Sequence, residues 1–488
     1  MRTVSILAAA AAVFLVGCEG RGPEPLVEEL RTANRVESAS IYEEGAPSKV
    51  HAVYEKLLQT TSREDLVRLL DDKSPVVRVY AFWGLKAKFP AVDLFGLLKV
   101  RLGDSTPVET LFGCIEETQQ VADLLIRTLE EELTPEQKRE LLTWMVRHPN
   151  NLATRERALR QWPLSPKHHA PVRKLAEAGA AGALVALARF GDDADLPVIA
   201  RQIGADSFDS LEAVERNPRP ALFPILAAMH RHFLDMDGRS SEMEQYYRAV
   251  AAFRTPAAAK LLAAVLETPS THESRSYHIQ FAFEAVIAYR DAYTDLLFRF
   301  WESSALPHLA YSGPAEGPYE EDRIIADLWK ADSQRTMRVI RSQFGREDFH
   351  NHSELALHAM VRVLLRELKP DEAFAVINRG LAAATVHQLP VLAGYAARYR
   401  PDSSIPVLFD RLLKPDNPHV QVSAAQTILA YGRKDLRERM QRLLAEGAIP
   451  KNDWGRDRVR EILQSPPADQ TGPKTWIGTV IEKRIERR

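Results

Sequence analysis

From about residue 45 onward, apolar residues return at three- and four-residue spacing, as at Leu57, Leu58 and again at Val67, Leu70. That is the period of a helix with one buried face. Alternating runs of β-branched residues bounded by hairpin turns are not seen, and helix breakers arrive at short intervals. The pattern predicts many helices of about 10 to 16 residues. The connecting phrases repeat. Asp72-Lys73-Ser74-Pro75-Val76 precedes a predicted helix containing Tyr80, and Asp104-Ser105-Thr106-Pro107-Val108 precedes one containing Phe112, with the prolines 32 residues apart. Ala188-Arg189-Phe190-Gly191 leads to Leu196-Pro197-Val198-Ile199, as Ala397-Arg398-Tyr399-Arg400 leads to Ile405-Pro406-Val407-Leu408. Ala430-Tyr431-Gly432-Arg433 makes a related turn. Recurrence at this scale points to units that bury their apolar faces on one another.

Two phrases resemble HEAT repeats: Pro75-x-Val77-Arg78-x-x-Ala81-x-x-Gly84-Leu85 and Pro418-x-Val420-Gln421-x-x-Ala424-x-x-Thr427-Ile428. Pro in a first helical turn loses no hydrogen bond, and Ala or Gly lets the paired helix come close. The resemblance implies an all-α fold, an α-solenoid of HEAT-like helix pairs. The family's Arg is present as Arg78 but is Gln421 in the later phrase, so an inter-repeat polar ladder is expected to be interrupted there. The expected organisation is a signal peptide (1–17), a lipidated Cys with tether (18–45), an N-terminal solenoid (46–302), a C-terminal solenoid (322–465) and an amphipathic capping segment (466–488). The boundary is drawn at Ser312-Gly313-Pro314-Ala315-Glu316-Gly317-Pro318. In the last segment Ile477, Ile481 and Ile485 share one face, with Lys483, Arg484, Arg487 and Arg488 opposite. It can cap the stack or dock on a partner or on anionic headgroups.

The N-terminus changes the setting. Arg2 is followed by the apolar run Ile6 to Val16, eleven residues, shorter than the roughly twenty that span a bilayer. Leu15-Val16-Gly17-Cys18 closes it and resembles a bacterial lipobox. The resemblance implies cleavage before Cys18, acylation of its thiol and amine, and a periplasm-facing envelope protein, with Glu19 favouring the outer membrane. Removing Arg2 leaves 63 basic against 66 acidic residues, a formal charge of −3, without the basic excess of a nucleic-acid surface. Cys114 is then the only other cysteine, expected as a buried inert thiol in Leu111-Phe112-Gly113-Cys114-Ile115.

Motifs for chemistry are few. His230 and His232 lie two apart on a predicted helix and point about 200° from each other, so they cannot share an ion. His350 and His352, with Asp348 beside them, form the candidate metal set, and His358 is the fourth ligand to look for. His168-His169, between Pro166 and Pro171, is a weaker pair. A single His-Glu pair, His272-Glu273, falls short of the repeated pairs of the iron-binding HEAT-like hydroxylases. The aromatics Tyr277, Phe281, Phe283, Tyr289, Tyr293, Phe298, Phe300 and Trp301 read as core, with a glycan groove as the alternative. The leading expectation is a lipid-anchored scaffold without a cofactor that binds another envelope protein or peptide and no nucleic acid. A metal-dependent envelope hydrolase using Asp348, His350 and His352 is the runner-up.

Overall fold

The computed structural model describes residues 23–464, apart from 43–44, 149, 205–206, 237, 268–274, 304–319, 346–353, 415–416 and 453. The described residues form 26 α-helices and one small sheet of four strands. The chain divides after Asn217 into two compact units. The expected boundary at 312–318 and the capping segment 466–488 lie outside the described residues.

In both units helices two apart in sequence pack on each other. In the first, Pro75–Lys88 packs on Val121–Leu129, then Ala153–Gln161, Ala183–Phe190 and Phe208–Arg216 in turn. In the second, Ser241–Ala252 packs on Arg275–Ala288. A further row runs from Glu320–Ala331 through Glu354–Glu367, Leu389–Tyr399 and Pro418–Ala430 to Gly455–Gln464. Intervening helices, such as His169–Glu177 and Thr294–Glu302, pack beside them. The matched phrases take one local structure. Short 3-10 turns, Asp193–Asp195 and Asp402–Ser404, run into helices Leu196–Gln202 and Ile405–Leu413, with Pro197 and Pro406 in the first turn.

The sheet corrects the all-helical expectation. Its strands are β1 (Arg35–Ile41), β2 (Ala46–Pro47), β3 (Pro107–Gly113) and β4 (Ile115–Gln120), ordered β2-β1-β3-β4. β1 runs parallel to β3, and the other pairs are antiparallel. The helix expected around Phe112 is thus a β-hairpin. Val108, Leu111, Phe112 and Ile115 stand at i, i+3, i+4 and i+7, which imitates a helix, and Pro107 suits the first residue of a strand as well as a first helical turn. Gly113, with φ of 61°, turns the chain into β4. Cys114, at the hairpin tip, is exposed, not buried.

The tether expectation also needs correction. Residues Glu24–Thr32 form a helix that buries Val27 and Leu30, and Arg31 pairs with Asp72 at 2.7 Å. β1 then docks on helix Pro75–Lys88 through Tyr80. This fully buried phenol accepts from the Glu37 N–H at 2.8 Å and donates to the Glu37 carbonyl at 3.1 Å. Burial raises the Tyr80 phenol pKa, so the hydroxyl stays protonated and able to donate. At Gln421 the polar link changes in kind, from a side-chain ion pair to a backbone hydrogen bond. Arg78 donates to Asp104 at 3.2 Å, and the buried Gln421 amide donates to the Pro450 carbonyl at 3.1 Å.

Close approach at Gly84 matches its reading. A Cβ there would lie 2.7 Å from Leu58 Cδ2 and 3.2 Å from Leu66 Cδ1, whereas one at Gly394, inside Leu389–Tyr399, would meet nothing within 4 Å. Gly394→Ala should therefore stabilise by about 0.5–1 kcal/mol through helix propensity. Gly84→Leu should destabilise by about 1–3 kcal/mol through overpacking. Thermal unfolding of the two variants checks the opposite signs.

Candidate functional site

Asp348, His350 and His352 lie outside the described residues, as does His272-Glu273. His358 is described, on helix Glu354–Glu367, with Nδ1 3.1 Å from the Tyr395 hydroxyl. Its Nε2 is buried with no hydrogen-bond partner among the described residues, and burial with Arg362 nearby holds its pKa down to about 4. It is a neutral imidazole packed between helices. His230 is similar, with Nδ1 3.1 Å from the Tyr246 hydroxyl and its pKa lowered by burial and by His278. His232 is exposed, so the two diverge as their helical spacing requires.

The adjacent pair His168-His169 is divided between two tasks. His168 is buried, and its Nδ1 accepts from the Ser165 N–H at 3.2 Å. That fixes the proton on Nε2, which donates to Thr143 Oγ1 at 2.8 Å. His169 opens helix His169–Glu177 and donates from Nε2 to Asp195 Oδ2 at 2.7 Å. Asp195 is buried, and its Oδ1 accepts from Arg173 Nη1 at 3.1 Å. His169, Asp195 and the exposed Asp192 form a cluster among the described residues whose ligand atoms lie within 4.8 Å of one another.

The chemistry of that cluster is that of an ion-pair triad. Both Asp195 oxygens are engaged, one of them by a guanidinium that would repel a cation. Asp192 Oδ1 accepts from the Ala194 N–H at 2.9 Å, in the 3-10 turn. The sequence signal was weak because Asp195 is 26 residues from His169 and reaches it only through the packing of successive helices.

The aromatic group divides plainly. Phe281, Phe283, Tyr293, Phe298, Phe300 and Trp301 are buried core, and Tyr277 is exposed. The Tyr289 ring lies 5.3 Å from the Arg254 guanidinium, and Arg254 lines a cleft of about 510 Å³ together with Arg290, Asp291, Thr294 and Asp327 among others. The cleft's charges pair internally, Arg254 with Asp291 at 2.8 Å and Arg290 with Asp327 at 3.1 Å.

No protein-family model matches the chain, and no curated protein matches it.

Three outcomes follow from the titratable groups. Asp195→Asn should cost about 1–3 kcal/mol by leaving His169 without its charged acceptor and Arg173 with Glu177 alone. Zinc should leave the melting temperature of the unaltered chain unchanged, and a rise with zinc would reassign the triad as a metal centre. For His358 the folded pKa lies below the unfolded value, so its contribution is complete above about pH 6.5 and shrinks as pH falls toward 4. The loss is up to about 3 kcal/mol. Unfolding free energies of the unaltered chain and of His358→Phe, compared at pH 7 and pH 4.5, should show a smaller acid loss in the variant.

Proposed function

We propose that the protein is a lipid-anchored scaffold of the bacterial envelope, an α-solenoid of HEAT-like helix pairs that binds another envelope protein or peptide. The observation that carries this reading is the packing of alternate helices in each unit, the contact pattern of stacked helix pairs. Leu15-Val16-Gly17-Cys18 supplies the address, with acyl chains on Cys18 holding the chain to the membrane, the outer membrane in our reading. No described helix is long and apolar enough to cross a bilayer. Anchoring confines both partners to one surface, so a weak contact is enough for occupancy. The balanced charge supports a protein or peptide partner over nucleic acid.

The test begins with thiols. Cys114 is exposed, so the purified native chain should react with a thiol reagent at one position. The denatured chain should still titrate one thiol if Cys18 is acylated and two if it is not. In-cell crosslinking followed by purification from solubilised membranes should capture an envelope protein that is lost in Cys18→Ala. A chain that titrates two thiols and leaves membranes in salt would overturn the anchor. Stoichiometric zinc that vanishes in the His350→Ala, His352→Ala double variant would replace the scaffold by a hydrolase using Asp348, His350 and His352.

A further inference from the structure

The two edges of the sheet are built differently. β2 is two residues long and ends in Pro47, the short proline-bearing edge that resists pairing. β4 is six residues long, carries no Pro or Lys, and keeps unbroken register with β3 from Phe112↔Ile115 to Pro107↔Gln120. Among the described residues no strand pairs with its outer side.

The direction of its backbone groups follows from the hairpin. Gly113 and Cys114 form a two-residue connection, so the flanking residues Phe112 and Ile115 exchange both ladder hydrogen bonds. Alternation then turns Ile115, Glu117 and Gln119 toward β3 and turns the N–H and C=O of Glu116 and Thr118 outward. The Val121 N–H, bonded to the Thr106 carbonyl at 3.0 Å, keeps the same parity past the strand's end.

The side chains select the occupant. Glu116, Glu117 and Thr118 are exposed on β4, Glu109 is exposed beside them on β3, and Arg35 is the cation that meets Glu116, at 3.3 Å. The side chain of Ile115 is 58% exposed. A second copy of this strand would set acidic residues against acidic residues. A strand carrying Lys or Arg would meet complementary charge on both faces, and an apolar residue would cover Ile115.

We propose that β4 is a docking edge on which an extended, basic peptide segment of a partner protein adds as a fifth strand, hydrogen-bonded to the backbone of Glu116 and Thr118. The proposal rests on the scaffold reading and gives the partner's contacting segment a conformation and a charge. Main-chain bonds supply affinity, and the acidic rows supply selectivity.

The test uses the full chain and an acetylated, amidated heptapeptide, Thr-Lys-Val-Lys-Val-Lys-Thr, with a Glu-for-Lys peptide as control. Saturation with the basic peptide should slow amide hydrogen exchange at Glu116 and Thr118 at least ten-fold, and the acidic peptide should not. Thr118→Pro removes an outward N–H that the ladder does not use, and the Glu116→Lys, Glu117→Lys double variant reverses the charge without touching the backbone. Each should weaken peptide binding at least ten-fold while the melting temperature of the double variant stays near that of the unaltered chain. Unchanged exchange at Glu116 and Thr118, or undiminished binding in the double variant, would overturn the proposal. A cellular partner crosslinked equally by the unaltered chain and the double variant overturns the edge and leaves the scaffold standing. Peptide protection with no cellular partner does the reverse.

Discussion

A helix that ends inside a packed stack leaves its last carbonyls without partners, and here arginines from a neighbouring helix, half-buried Arg189 and buried Arg411, satisfy them. Arg189 donates to the carbonyls of Leu159, Arg160 and Trp162 at 2.9, 3.0 and 2.9 Å, where helix Ala153–Gln161 ends. Arg411 does the same for Ala382 and Ala384 at 3.2 and 2.9 Å, at the end of Pro370–Ala383. Burial lowers the Arg189 pKa, yet a guanidinium remains charged at any working pH, so the bonds are charge-assisted. Each tie crosses 27 to 30 residues, which is the step between stacked helices. The apolar faces supply most of the attraction between neighbours, and these two arginines fix how far along its axis each of the two tied helices sits. Exposed pairs with a similar reach, such as Arg433 with Asp402, contribute far less because water screens them.

The small sheet obeys the same need at one place in the first unit. Helices Lys49–Thr60 and Pro75–Lys88 carry aromatic side chains, Tyr54 stacked at 4.8 Å on Tyr80 and Trp83 6.0 Å from Phe112 of β3. β1 and β3 meet this cluster, and the Glu37 peptide is held there by Tyr80. The Glu37 carboxylate is buried too, accepting from Ser48 at 2.6 Å and from Arg35 at 2.5 Å. Terminal units of a stack are usually atypical because one face has no further repeat to bury it. In the proposed solenoid, the sheet on helix Pro75–Lys88 would take the place of a helix pair.

Helix content was readable because the apolar period, the first-turn prolines and the turn phrases agree with one another. The turns carry a further regularity: an aromatic residue precedes a left-handed one at Phe190-Gly191, Phe253-Arg254, Phe344-Gly345, Tyr399-Arg400 and Tyr431-Gly432. Arg254 and Arg400 hide it, since neither is the glycine that usually signals this conformation. The hairpin was unreadable for a different reason. Its apolar residues serve two faces, with Val108 and Leu111 both buried, and two-sided burial erases the alternation that identifies a strand. The His169–Asp195–Arg173 triad was unreadable because Asp195 reaches helix His169–Glu177, which carries the other two, from the separate turn Asp193–Asp195. The divergence of His230 and His232 needed only helical geometry.

Folding of residues 24–41 alters what the proposed anchor would do. With acyl chains on Cys18, only residues 19–23 separate the lipid from helix Glu24–Thr32, a reach of about 20 Å even fully extended. A tether running to residue 45 would have allowed more than four times that distance. Such a short link would hold the start of the first unit close to the headgroups. An extended segment reaching the edge of β4 would then come from a partner already at the membrane surface. Its basic residues would face two negative surfaces, the anionic headgroups and the glutamates of β4. Competition between those surfaces would make occupancy of β4 depend on salt and on the density of anionic lipid, with no change in either protein.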